Sequence, residues 1–148
     1  MMGALPAAFV VDASVSAAWL LPDEATPATE AILLATATHE LWVPALWSLE
    51  IGNLLLSAQR RKRITAAKRL ELVAAAAALR IKVDREPVSL IAIDALAASH
   101  QLSAYDAAYL ELALRRGLPL ATVDDALLAA MATAGVAPVI GSEPRRRR

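Results

Sequence analysis

Apolar and polar positions along this chain switch between two periods, and the switches mark its elements. Residues 8–12, "AFVVD", are a continuous apolar run closed by Asp12, the pattern of a short strand buried on both faces. Residues 13–21 read as a helical segment that Pro22 ends. In "TPATEAILLATAT", Thr26 takes the N-cap and Pro27 the first helical position of a second helix. "ELWVP" is a second short strand, stopped by Pro44, and "ALWSLEIGNLLLSAQRRKR" a long amphipathic helix despite its internal Gly52. Thr65 caps a helix that runs to about Arg80, and "IKVDRE" is a third strand. "PVSLIAIDALAASHQ" and "SAYDAAYLELALRR" are two more helices, the second closed by Gly117. "LPLATV" is a fourth strand, "DDALLAAMATAG" the last helix and "VAPVI" a weak final strand.

Strands separated by helices predict an α/β class with a mainly parallel sheet and helices on both faces. Such sheets place their sites beyond the C-terminal ends of the strands. Neither an internal repeat nor a linker interrupts the pattern. Residues 1–141 are therefore expected to form one domain, with 142–148 a basic, disordered tail.

A chain of 148 residues is long enough for a real core, and its Ala-rich 57% hydrophobic content favours helices. Without cysteine, disulfides and thiolate chemistry are excluded. Charges interrupt every apolar run before membrane-spanning length, and no Lys or Arg precedes the first run as in a secretory leader, so a soluble cytoplasmic protein is expected. Net charge is zero, yet the cations are clustered: Arg60–Arg63, Arg115–Arg116 and the tail Arg145–Arg148. Local knots on a neutral chain are compatible with a polyanionic partner.

The acids divide into ordinary and unusual. Asp12 follows the first strand, and Asp124 and Asp125 follow the fourth. In a parallel sheet those ends lie at one edge, although each acid is also a good N-cap. Glu50 shares its helix face with Leu46, Trp47, Asn53 and Leu54, and a carboxylate there calls for a partner or a metal. Ser103 and Asp106 form an S-x-x-D capping box. Asp106 also lies opposite Glu111 and Arg115, whose i,i+4 spacing marks a solvent face, so it is expected to point inward. Asp94 reads as a solvated helix residue. Tyr105, Tyr109, Trp19, Trp42 and Trp47 read as packing or partner contacts. With two histidines, His39 and His100, a histidine-rich zinc site is not expected.

Asp12, Glu50, Asp106 and Asp124 can thus meet at one sheet edge, where they would repel one another and raise each other's pKa. All-oxygen ligands favour a hard cation, Mg²⁺ or Mn²⁺, and the chemistry that suits such a site is phosphodiester hydrolysis. The motifs "VVDASV", "SLEIGNLL", "LSAYDAAYLELA" and "LATVDDALL" resemble those of PIN-domain ribonucleases, most closely the VapC toxins of toxin–antitoxin pairs. The resemblance spans nearly the whole chain in order. It implies a PIN-like three-layer α/β/α domain and a Mg²⁺-dependent endoribonuclease that is homodimeric and held inactive by a cognate antitoxin. It also implies an acidic quartet of Asp12, Glu50, Asp106 and Asp124, with supporting roles for Ser14, Asn53 and Thr122. Asp125 is an extra acid, and the Arg tail is outside the family pattern.

Other phosphoryl chemistries fit less well. A haloacid-dehalogenase-like phosphatase wants D-x-D where residue 14 is Ser. A phospho-accepting receiver domain wants an acidic pair after strand one and a Lys after a late strand. Gly-rich nucleotide loops are missing. The alternative from another class is a non-catalytic module with the same fold that binds RNA or a partner without cutting.

Overall fold

A computed structural model describes residues 4–140. Four strands form one sheet: β1 (Ala8–Val11), β2 (Glu40–Pro44), β3 (Lys82–Asp84) and β4 (Leu120–Ala121). Seven helices accompany them: α1 (Ala13–Leu20), α2 (Pro27–Ala35), α3 (Trp47–Arg60), α4 (Ala66–Ala77), α5 (Leu90–His100), α6 (Ala104–Arg116) and α7 (Asp125–Ala134). A short 3₁₀ turn, Pro22–Glu24, follows α1 where Pro22 stops it. The expected caps are in place: Thr26, Thr65, Ser103 and Asp124 each accept an N–H from the first turn of their helix. Gly117 and Gly135 close α6 and α7 in the left-handed region, at φ 65° and 80°.

Strand order is β3-β2-β1-β4, with every pair parallel. From β1 the chain steps outward to β2 and β3, then crosses back over the sheet to β4 on the other side of β1. Right-handed crossovers in opposite directions put α1–α4 on one face and α5–α6 on the other, the three-layer α/β/α arrangement of the expectation. α6 packs on β1, β2 and β4 and against α5 and α7, while α1 packs against α2 and α3. Phe9, Val10, Val11, Leu41, Val43, Leu120 and Ala121 are fully buried, which explains the unbroken apolar runs of the inner strands. The direction of connection reverses between β1 and β4, and there an open α/β sheet leaves a crevice at its C-terminal edge.

Two expectations are corrected. "VAPVI" forms no strand among the described residues: it contributes one isolated parallel bridge, Leu120 to Pro138. Pro138 has no N–H to donate to a ladder. The second correction concerns Glu111 and Arg115, which do not mark a plain solvent face. Their ion pair (2.7 Å) continues into Asp84 at the end of β3, which takes Arg115 at 2.6 Å and Arg116 at 2.9 Å. The Asp84 side chain is only 4% exposed, and these guanidinium groups hold its carboxyl below the usual carboxylate range. Arg116 also lies 3.6 Å from the centre of the Trp42 ring. One of the basic knots is therefore a structural clamp. The tail 142–148 lies outside the described residues.

Candidate active site

The site begins where β1 ends. Asp12 is 3% exposed and caps α1, its Oδ1 accepting the Val15 N–H at 3.1 Å. That is the bland role of the residue, and it accounts for one lone pair. The rest of the carboxylate is held by two hydroxyls. Ser14 donates to Oδ1 at 2.7 Å, and Thr122, just beyond β4, donates to Oδ2 at 2.5 Å. Both hydroxyl oxygens in turn accept backbone N–H groups of the β4–α7 loop: Val123 at 3.1 Å on Ser14 and Asp124 at 3.0 Å on Thr122. This lattice stitches the β1 and β4 ends together at the switch point. Ser14 and Thr122, to which the resemblance gives supporting roles, are thus both hydrogen-bonded to the Asp12 carboxylate.

Glu50 lies in the first turn of α3, half-buried, and reaches across the sheet edge to Tyr109 of α6. The Tyr109 hydroxyl donates to its Oε1 at 2.7 Å. Tyr109 is 1% exposed, so it is the packing residue expected and a fixed donor as well. This second role was not read from the sequence. The available signal was its place one turn after Asp106, on the same stripe of α6.

Asp106 is partly buried at the start of α6. Ser103 accepts its backbone N–H at 3.1 Å, so cap and inward-facing acid coexist. Asp124 likewise caps α7, accepting the Leu127 N–H at 2.9 Å, while its charge acts on Asp106. Asp94 is exposed on α5, as expected, and Asp125, the extra acid, is exposed on the first turn of α7. Asn53 differs from expectation. It is exposed and makes no side-chain hydrogen bond to any of the acids. It instead lines a cleft of about 370 Å³ between α1 and α3, with Ala13, Ser14, Ala17, Glu50 and Leu54.

Electrostatics tie the acids into one field. Burial pushes the Asp12 carboxyl from its ordinary 3.8 up to about 6; the three hydrogen bonds oppose this, and the Asp106 charge adds to it. Burial raises Glu50 too, with Asp106 adding and the Tyr109 hydroxyl opposing. Burial and then the Asp124 charge raise Asp106, against the Ser103 hydroxyl. Among the described residues no Lys or Arg pairs with any of the four, in contrast to Asp84 with its two. The donor set is all oxygen, anionic and uncompensated, which fits a hard divalent cation. Among the described residues no three of these acids form a ready ligand cluster.

Fold and site together define a class: a parallel three-layer domain of nuclease type, with carboxylates beyond the C-terminal ends of the neighbouring strands β1 and β4. The PIN domain family model matches residues 9–139, and the chain belongs to that family. Among solved structures, 12 chains match. One is the crystal structure of PAE2754 from Pyrobaculum aerophilum, 29% identical, with a TM-score of 0.64 over 88% of this chain and 83% of that one. No curated protein matches. No helix among the described residues is long and apolar enough to cross a membrane.

Proposed function

We propose that this protein is a Mg²⁺-dependent endoribonuclease, with Mn²⁺ as an alternative ion, and the toxin of a cytoplasmic toxin–antitoxin pair. The observation that carries the reading is Asp12: a buried carboxylate at the switch point, fixed by two neutral hydroxyls, within reach of the Asp106 charge and paired with no cation among the described residues. A protein that needed Asp12 only as a cap would have no reason to brace it with two hydroxyls and to set the Asp106 charge within reach of it. The ion would be held by Asp12, Asp106 and Asp124, with Glu50. When bound, it supplies compensation for the carboxylates and Lewis-acid polarisation of a phosphodiester and of the attacking water.

The chain's own residues divide the remaining work. Ser14 and Thr122 hold the Asp12 oxygens in one orientation, and because hydroxyl protons rotate, they do so for either protonation state. Tyr109 fixes Glu50, the best placed group to orient a water or accept its proton, since it is half-open to the α1–α3 cleft. No described side chain at the site is a natural acid for the leaving oxygen, so water serves there.

The cognate antitoxin belongs to the same proposal. A cationic side chain from it, set among the unpaired carboxylates, would compensate their charge and exclude substrate. A homodimer is also proposed, with Leu90 and Ile91 of α5, 81% and 84% exposed, as apolar surface for a second copy.

The test is cleavage of single-stranded RNA by purified protein with Mg²⁺, with EDTA, and with Asp12→Asn. Cleavage in the first alone is expected. Tight RNA binding without cleavage under any metal would favour the non-catalytic module, for which the open spacing of the acids is the supporting observation.

A further inference from the structure

The supporting role that the family pattern suggests for Asn53 is not what its position offers. On α3, residues 50, 53, 54 and 57 fall on one stripe, since steps of three, four and seven return to the same side of a helix, and Arg61, the C-cap, follows at the end of that side. Glu50 of the acidic site starts that stripe. Asn53 and Leu54 line the cleft beside α1 and half-buried Ser57 follows; exposed Arg60, the last residue of α3, stands about a quarter-turn to the side of the stripe, and exposed Arg61 caps the helix. The rise from Glu50 to Arg60 is about 15 Å, a few nucleotides of extended strand.

The cations at that end differ from the other knot. Arg115 and Arg116 are engaged with Asp84 and Glu111. Arg63 is engaged with Asp23 at 2.8 Å and Glu24 at 3.7 Å in the turn after α1. The side chains of Arg60, Arg61 and Lys62 have no ion pair or hydrogen bond among the described residues. Asn53 likewise has an amide with unused donor and acceptor capacity in a cleft it shares with apolar Ala13, Ala17 and Leu54 and with Ser14 and Glu50 of the acidic site, which is the composition of a subsite for a flat, partly apolar group with polar edges.

From this geometry we infer that the Glu50–Arg61 stripe of α3 is the track of a single-stranded RNA. One nucleoside sits in the α1–α3 cleft against Asn53, and phosphates further along are held by Arg60 and Arg61, flanked by Lys62. The inference rests on the nuclease reading and assigns its substrate path. It makes Asn53 a substrate-binding residue rather than a support of the acids, and it singles out one basic cluster of the chain.

The test uses the full chain carrying Asp12→Asn, a fluorescent single-stranded RNA 12-mer and a salt series. Arg60→Gln with Arg61→Gln is compared with a charge-matched control, Arg80→Gln with Arg85→Gln, two exposed arginines off the stripe. Each phosphate contact on a single strand adds about 0.7 to the log–log salt slope, so the first pair is expected to lower it by about 1.4 and the control to leave it in place. In the active protein, Asn53→Ala is expected to raise KM about tenfold, the worth of one hydrogen bond, and to leave kcat within about twofold. Equal slope losses in both pairs, or none in either, overturn the track, and that includes the case in which the stripe serves a protein partner. A fall in kcat for Asn53→Ala returns that residue to the acids and overturns its subsite. Those results leave the nuclease reading standing if RNA is still cut. Absence of both RNA binding and cleavage overturns the two together.

Discussion

Replacing Asp12 by Asn should make the metal-free protein more stable while abolishing its activity. A carboxyl moved from 3.8 to about 6 carries an energetic cost, in its charged form, of about 3 kcal/mol at neutral pH. Asn removes that cost, of which the repulsion from Asp106 is a part. It also introduces a mismatch: an amide NH₂ facing the Thr122 oxygen turns that hydroxyl proton away, and the nearest acceptor, Ser14 Oγ, is 3.4 Å off. One poorly made hydrogen bond costs about 1 kcal/mol. The net gain is about 2 kcal/mol at pH 7, or about 4–8 °C in Tm for a chain of this size. The pH dependence has a definite sign. A carboxyl raised in the folded state keeps its proton there more tightly than in the unfolded chain, so its contribution is present below 3.8 and lost as pH rises through about 6. The advantage of the Asn variant should therefore be full at pH 7, shrink through pH 5 and vanish near pH 4. Urea unfolding in EDTA at those three pH values reads this directly. A variant less stable than wild type at pH 7, or a difference that does not close on acidification, refutes the account of Asp12 as an uncompensated buried charge.

Millimolar Mg²⁺ or Mn²⁺ should reverse that order, raising the wild-type Tm while leaving Asp106→Asn or Asp124→Asn little changed, because only native-state binding stabilises. Tyr109→Phe should cost about 1 kcal/mol in urea unfolding and lower RNA cleavage about tenfold. Its acid limb should move to higher pH, since the hydroxyl opposes the upward shift of Glu50. Asp84→Asn should destabilise by about 2 kcal/mol, less than a fully buried pair because its arginines are about one-third exposed. The Asp84 pKa is depressed, so its contribution is present above the ordinary carboxylate range and lost as pH falls below it; wild type and variant should converge in acid.

What was legible in the sequence was local. Pro22, Pro44, Thr26, Ser103 and Gly117 set the ends of elements through backbone chemistry, which a linear reading can follow. Asp12 and Asp124 were found because parallel strands bring their C-terminal ends to one edge. The unread features depend on contacts across the sheet. Arg115 and Arg116 read as a free basic knot because no linear signal says that the acid ending β3 will meet them 31 and 32 residues later. Tyr109 reaches Glu50 over a separation of 59 residues. Asn53 falls with the acids by family pattern, since Gly52 beside it and the three leucines that follow it point to more than one side of α3 and leave its own face undefined. Folding turned it to the open cleft.

The clamp on Asp84 has a consequence for which parts of this chain can change length. Helix α6 is anchored near both ends by unlike means: Asp106 and Tyr109 engage the acidic edge, and Arg115 and Arg116 grip the end of β3. One residue inserted between Tyr109 and Arg115 would turn one end about 100° against the other and slide it about 1.5 Å. Either the arginines would leave Asp84 or Tyr109 would leave Glu50. Helix α4, largely exposed and buried only at Ala76, has no such double attachment and can absorb the same insertion. The span from Asp106 to Arg116 thus acts as a gauge block for the acidic edge, while variation in length among relatives should collect in α4 and the loops around it.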